Sequence, residues 1–161
     1  MIGKATLLCV GNLKESYWRE ACAEYQKRLS AYFQLTILEI AEERAPKDPS
    51  PAQIEAVIKA EGERILSKIP VGSAIVPLCI EGKELSSPSL AKELDRFAVN
   101  GNGHITFVIG GSFGLSDEVK SKAVLRLSMS PMTFPHQLAR VMLLEQLYRA
   151  AQISSGGKYH K

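Results

Sequence analysis

Short apolar runs alternate along this chain with longer stretches in which apolar positions recur every three or four residues, the pattern of strands and helices in turn. Lys4 to Val10 reads as a first strand and Ser16 to about Leu29 as a first helix. A second strand at 35–40 leads into a polar, proline-bearing loop through Pro51. Ser50, Pro51 and Gln53 have the chemistry of a helix start: a hydroxyl to cap, a proline for the first turn and an amide three residues on to reach back. That helix is predicted to reach about Lys68. The third strand is predicted at 74–80 and a turn at 81–83; Ser87 with Pro88 then opens a helix ending near Asn100 and Gly101. Residues 105–109 are apolar without a break, as in a central strand covered on both faces. After a glycine loop at 110–114, Ser116 caps a short helix whose first turn carries Asp117 and Glu118, the sign the helix dipole favours. Residues 124–128 alternate as a fifth strand, and Pro135 begins a last helix to about Ile153. This order predicts an α/β fold, a mostly parallel sheet flanked by helices, in a single domain over residues 1–161.

The last helix is apolar over more than one stripe: Leu138, Val141, Met142, Leu143, Leu144, Leu147, Tyr148 and Ala151 cover most of its circumference. Such a helix either lies deep in a wide core or is shared with a second subunit, and the shortness of the chain makes a homodimer the expectation.

Composition narrows the function classes. No apolar run approaches the roughly 20 residues of a membrane span, and no signal-peptide cleavage region follows the first strand, so a soluble, cytoplasmic protein without a membrane partner is expected. Cys9, Cys22 and Cys79 are far apart and two lie in apolar runs, which predicts buried thiols rather than a disulfide or zinc framework. The net charge of +3 is small but unevenly placed. From Lys120 onward seven Lys and Arg face one acid, Glu145, a net +6 against −3 for the rest. That asymmetry points the C-terminal region at a polyanion, with a merely solvated basic face as the alternative.

Two loops are predicted to leave the C-terminal ends of adjacent strands, where open α/β sheets bind ligands. The first, from Ile109 through Gly110, Gly111, Ser112, Phe113 and Gly114, lacks both the dinucleotide fingerprint and the Lys-Ser/Thr of a phosphate-binding loop. The second, Met129, Ser130, Pro131, Met132, Thr133 and Phe134 ahead of Pro135, is stiffened by its prolines and offers apolar walls for a flat ring with backbone groups to fix it. His136 falls in a first helical turn, where it either faces an anion or serves as a cap or a satisfied half-buried imidazole. The three histidines are scattered, so no metal site is expected, and no nucleophile elbow for hydrolysis appears. The tail, two serines and two glycines before Lys158, Tyr159, His160 and Lys161, is either frayed or a tethered tip that stacks on an unpaired base and pairs with phosphate.

Taken together, Val10-Gly11-Asn12-Leu13-Lys14 with Tyr17-Trp18, Phe107-Val108-Ile109-Gly110-Gly111-Ser112 with Gly114-Leu115, Met132-Thr133-Phe134-Pro135-His136-Gln137, Glu145-Gln146-Leu147-Tyr148-Arg149-Ala150 and Tyr159-His160-Lys161 make a recognisable series. In this order and over essentially the whole chain, the sequence resembles the RlmH family, SPOUT-class methyltransferases of N3 of pseudouridine in large-subunit ribosomal RNA. The resemblance implies a doubly wound fold with a C-terminal trefoil knot, a homodimer, S-adenosylmethionine as cofactor without a metal, and the assembled ribosome, not DNA, as partner. It implies cofactor contacts at Leu78, after the third strand, at Gly110, and at Met129, Ser130, Pro131, Met132, Thr133 and Phe134. It places His136, Arg149, Tyr159 and His160 at an RNA-facing catalytic site, where one subunit's tail completes its partner's pocket. His160 is the first choice for the base that takes the imide proton, with Tyr159 positioning the ring and Arg149 holding phosphate or the developing negative charge. A cofactor-free RNA- or ribosome-binding module and a methyltransferase acting on transfer RNA are the rival readings.

Overall fold

The computed structural model describes all residues from Met1 to Lys161. Five parallel strands form one sheet in the order β2-β1-β4-β3-β5. They are β1 (Lys4–Val10), β2 (Gln34–Ile40), β3 (Ala74–Glu84), β4 (His104–Ile109) and β5 (Leu127–Ser128). Helices α1 (Ser16–Leu29), α3 (Ser87–Val99) and α5 (His136–Ser154) cover one face, while α2 (Pro51–Lys68) and the short α4 (Asp117–Ser121) cover the other. Each face has its own core: Leu7, Cys9, Phe107, Leu90, Leu143, Leu144 and Leu147 pack on the first, and Leu8, Val10, Val108, Ile65 and Val119 on the second. Burial on both sides explains why the interiors of β1 and β4 are apolar but for Thr6 and Thr106, both buried.

Several boundaries follow from local chemistry. At the start of α2 the Ser50 hydroxyl accepts the Gln53 N–H at 3.2 Å while the Gln53 side chain accepts the Ser50 N–H at 2.8 Å, the reciprocal cap its sequence predicts. Helix α3 is capped by Ser86, which accepts the Ser89 N–H, so the cap lies one residue earlier than expected. Gly101, in the left-handed region at φ 85°, ends that helix.

The third and fifth strands differ from expectation. Residues 81–83 are not a turn: β3 continues to Glu84, and an irregularity in its pairing lets both Leu78 and Lys83 stand opposite Leu127. Of the predicted fifth strand only Leu127 and Ser128 are extended, because Ala123 and Val124 instead meet Ile75 further down β3. The two strands touch closely at Gly82. A β-carbon there would lie 2.8 Å from the Arg126 carbonyl oxygen and 2.8 Å from the Leu127 carbonyl carbon, backbone atoms that cannot swing aside. Gly82→Ala is therefore expected to destabilise the fold by about 1–3 kcal/mol, read as a lower urea midpoint. An unchanged midpoint would show that the strands separate freely.

Helix α5 lies between α1 and α3 over the sheet, which buries Leu143, Leu144, Leu147, Ala150 and Ala151. Much of its wide apolar girdle is thus covered within one chain. Leu138, Val141 and Met142, toward its first half, stay only half-buried.

Candidate functional site

The parallel sheet gathers the C-terminal ends of its strands on one rim. The order reverses between β1, whose other neighbour is β2, and β4, whose other neighbour is β3; such a switch point leaves a crevice. The two loops identified in the sequence leave β4 and β5, which are not adjacent: β3 runs between them. That intervening strand carries Leu78, which lies within β3 rather than after it. Pairing of Pro77 with Val108 and of Leu78 with Leu127 sets Leu78 between the end of β4 and β5. Leu78, Gly110 and the segment from Met129 to Phe134 therefore lie on, or just past the ends of, three neighbouring strands along one rim.

Within that segment the chain folds on itself. The Ser128 hydroxyl donates to the Ser130 carbonyl at 3.1 Å, and the Ser130 hydroxyl accepts the Met132 N–H at 3.0 Å. Met129, Ser130 and Phe134 are half-buried, whereas Pro131, Met132 and Thr133 are exposed, Met132 to 71%. Across from it the glycine loop is held from below. Gly110 has no space for a side chain, since a β-carbon would come within 2.9 Å of Leu115. At Gly111 a β-carbon would lie 2.8 Å from Oε1 of Glu61 and 3.1 Å from Val10. Glu61, on α2, is only 2% exposed; its Oε2 accepts the Glu43 N–H at 3.0 Å and its Oε1 has no partner. Burial pushes its carboxyl above the ordinary value, and the Glu43 N–H first, then Arg64, work against that shift.

Beside the glycine loop, beyond the tip of β1, lies a cleft of about 660 Å³ lined by Gly11, Asn12, Lys14, Glu15, Glu39, Glu42, His136 and Gln137 among others. The β1–β4 pairing of Cys9 with Ile109 makes it a neighbour of the glycine loop, whose Ser112 hydroxyl donates to Glu42 of the cleft at 3.2 Å. His136 is the first residue of α5 and packs against Gly11, where a β-carbon would sit 3.2 Å from the ring. It neither caps the helix nor is satisfied: Nδ1 is buried without a hydrogen-bond partner. Burial first, then Arg140, hold its pKa below the ordinary value. In the unfolded chain the imidazole takes up a proton as pH falls through about 6.5, while the folded chain resists it, so the His136 contribution to stability is lost on acidification through that window. His136→Asn is expected to remove that part of the pH dependence of the urea midpoint between about pH 7 and pH 5; parallel profiles for the two chains would disprove it.

One turn further, Arg140 is 2% exposed, donates to Glu39 at 2.8 Å and to the Gly11 carbonyl at 3.3 Å, and leaves Nε unpaired. It stiffens the β1 and β2 tips from beneath. The nearby Cys9 thiol is pushed up to about 12, chiefly by burial, and all three cysteines are buried and free. No three His, Cys, Asp or Glu side chains come together in a way that could hold a metal ion.

The tail docks on the outer side of α5. The Tyr159 hydroxyl donates to Glu145 at 3.1 Å, its ring meets Tyr148 edge-on at 4.9 Å between centroids, and the Arg149 guanidinium lies over it at 4.6 Å. Glu145 also accepts from Arg149 at 2.6 and 3.1 Å. Arg149 Nη1 is 3.4 Å from His160 Nδ1, and since a guanidinium only donates, that ring nitrogen is the acceptor. Arg149, Tyr159 and His160 thus form one cluster. His136 is not part of it: thirteen residues of helix separate it from Arg149, roughly 20 Å along the axis.

Sequence reasoning missed Arg140, Glu39 and Glu61. A signal for two of them exists. Arg140 stands on the stripe with Leu143, Leu144 and Leu147, and Glu61 on the one with Val57 and Ile65; charges at core spacing are buried charges with a task.

In open parallel α/β sheets with a reversed strand order, ligands commonly bind at the strand tips beside the switch point. A family described as predicted SPOUT methyltransferase matches residues 4–160, and the chain belongs to that family. SPOUT methyltransferases in general use S-adenosylmethionine. Among solved structures, the chain is similar to a probable methylase family protein from Haemophilus influenzae Rd KW20, with 13% identity and a TM-score of 0.49 over 94% of this chain and 66% of that one. The chain accordingly spans just under two thirds of that protein's length. No helix is long and apolar enough to cross a membrane.

Proposed function

We propose that this protein methylates N3 of a pseudouridine in large-subunit ribosomal RNA, with S-adenosylmethionine as donor, and that it acts as a homodimer on the assembled ribosome. The observation that carries the reading is the convergence of Leu78, Gly110 and the segment from Met129 to Phe134 on one rim, next to His136. The rim suits the donor: Leu78, Met129 and Phe134, all half-buried, offer apolar contact for an adenine ring, and the backbone of the two loops offers hydrogen-bonding groups. When bound, S-adenosylmethionine supplies an activated methyl group. A SPOUT-type trefoil knot in the C-terminal part of the chain belongs to the same proposal.

The remaining steps fall to side chains of the tail cluster. Tyr159 supplies an aromatic surface for the target ring, and His160 takes the proton from N3 so that the nitrogen becomes nucleophilic. Arg149 keeps Nη1 on the side away from Glu145, where it can hold a phosphate or the negative charge that develops on the imide. His160 Nδ1 faces that arginine in the docked tail, so turning toward substrate requires the ring to leave it. The separation of His136 from the tail cluster along α5 supports a site built from two chains, with the tail of one beside the rim of the other.

Nucleoside mass spectrometry of ribosomal and transfer RNA from cells lacking the protein is the deciding experiment. Loss of one N3-methylated pseudouridine from large-subunit RNA, restored by the purified chain on whole ribosomes but not on stripped RNA, is the expected result. A mark lost from transfer RNA, or no mark lost and no heat of binding with S-adenosylmethionine, would overturn it.

A further inference from the structure

We propose that Glu61 makes this site prefer a positively charged methyl donor over the neutral, demethylated product, acting through space from beneath the glycine loop. The inference rests on the assignment of that loop to the donor. Glu61 occupies a position that helix periodicity assigns to the core, between Val57 and Ile65, yet it carries a carboxyl group there. A buried oxygen without a partner is destabilising, and an apolar residue would remove the penalty. Its retention is explained if the charge has a use outside the helix. The carboxyl lies against Gly111, which tolerates it only because it lacks a β-carbon, and one residue on, Gly62 packs under the Ser116 hydroxyl that caps α4. Both ends of the glycine loop thus rest on this one turn of α2.

The charge is reinforced rather than cancelled. Glu42, from the chain beyond β2, adds negative charge beside the Glu61 carboxyl, and Arg64, the one cation acting on it, is already paired with Glu43. Glu42 in turn accepts the hydroxyl of Ser112 in the loop at 3.2 Å, which puts a second carboxylate on the loop's edge. A sulfonium donor carries a positive charge at the atom that gives up the methyl group, and the product is a neutral thioether. A negative floor under the loop therefore holds the donor more tightly and lets the product go. This role differs from catalysis, because Glu61 is sealed from the ligand by the loop itself.

Calorimetry on the full chain separates the possibilities, using S-adenosylmethionine, sinefungin, which keeps a cationic amine at the corresponding position, and neutral S-adenosylhomocysteine. In Glu61→Gln the preference of both cations over the neutral ligand is expected to fall on the order of tenfold, the size of a unit-charge interaction across roughly 10 Å at an effective dielectric of about 20, with affinity for the neutral ligand kept. Equal weakening of all three ligands would reduce Glu61 to a structural prop, and an unchanged preference would refute the proposal outright. Because the substitution touches a packed turn, the unaltered chain provides a second arm: on acidification the Glu61 carboxyl, held above its ordinary value by burial, protonates before an ordinary glutamate, which must shrink the same preference. Glu42→Gln, acidified in the same way, has to leave that pH response in place. An unaltered chain that binds none of the three ligands would remove the donor assignment itself, an outcome distinct from binding without charge preference.

Discussion

Replacing Glu39 by alanine is expected to destabilise the fold more than replacing its buried partner Arg140 by methionine. Glu39 is 43% exposed and Arg140 only 3%, so intuition from exposure alone would rank them the other way. Removing Glu39 strands a guanidinium among Cys9, Cys22 and the Gly11 carbonyl, with one of its nitrogens already unpaired. An uncompensated buried charge of this kind costs about 3–5 kcal/mol, and the partial exposure of Glu39 places the value toward the lower end. Arg140→Met removes the charge together with its desolvation penalty, keeps much of the side-chain volume, and leaves Glu39 to water. Equilibrium urea unfolding of both single variants and the double variant measures this directly. The double variant is expected to recover most of the loss seen in Glu39→Ala. A double variant no more stable than Glu39→Ala would mean that the ion pair is no electrostatic unit.

His160→Ala is expected to lower turnover by about 10²- to 10⁴-fold, the usual contribution of a general base, with the affinity for S-adenosylmethionine unchanged. Its distance from the rim within one chain adds a further test. If two chains share each site, Gly110→Val, which drives a side chain into Leu115 and spoils the slot, is also inactive, but mixing it with His160→Ala is expected to restore roughly a quarter of the unaltered activity through mixed dimers. Each mixed dimer then holds one intact rim facing one intact tail. No recovery on mixing would confine the site to a single chain, and full turnover by His160→Ala would pass the proton to another group, with the neutral imidazole of His136 first in line.

Where local chemistry decides, the sequence was a faithful guide. The ends of β1, α1 and α2 are where periodicity and the Ser50–Gln53 cap put them, and all three thiols are buried as expected. Errors cluster where partners far along the chain decide. The run at 81–83 has the composition of a turn, but it stays extended because the Arg126 carbonyl accepts the Lys83 N–H. Residues 124–126 alternate like a strand, yet Val124 bonds Ile75, at a different level of β3 from the partners of Leu127. The site shows the same division. Both loops were legible from glycine and proline placement, whereas the strand lying between them and the Glu61 carboxyl beneath one of them depend on tertiary register that no local window contains. The docking of Tyr159 on Glu145 was equally invisible, since a Gly-Gly spacer gives no sign of where the chain will go.

The brevity of β5 has consequences for motion. Two residues of extended chain are all that tether the segment from Met129 to Phe134 to the sheet, while α5 behind it is clamped by α1 and α3. Opening of that edge requires breaking only a few backbone bonds, so amide protons at 127–132 should exchange with deuterium through local fluctuations well before the rest of the molecule unfolds. A ligand seated against those residues would slow that exchange without altering the core, so this edge doubles as a gauge of occupancy.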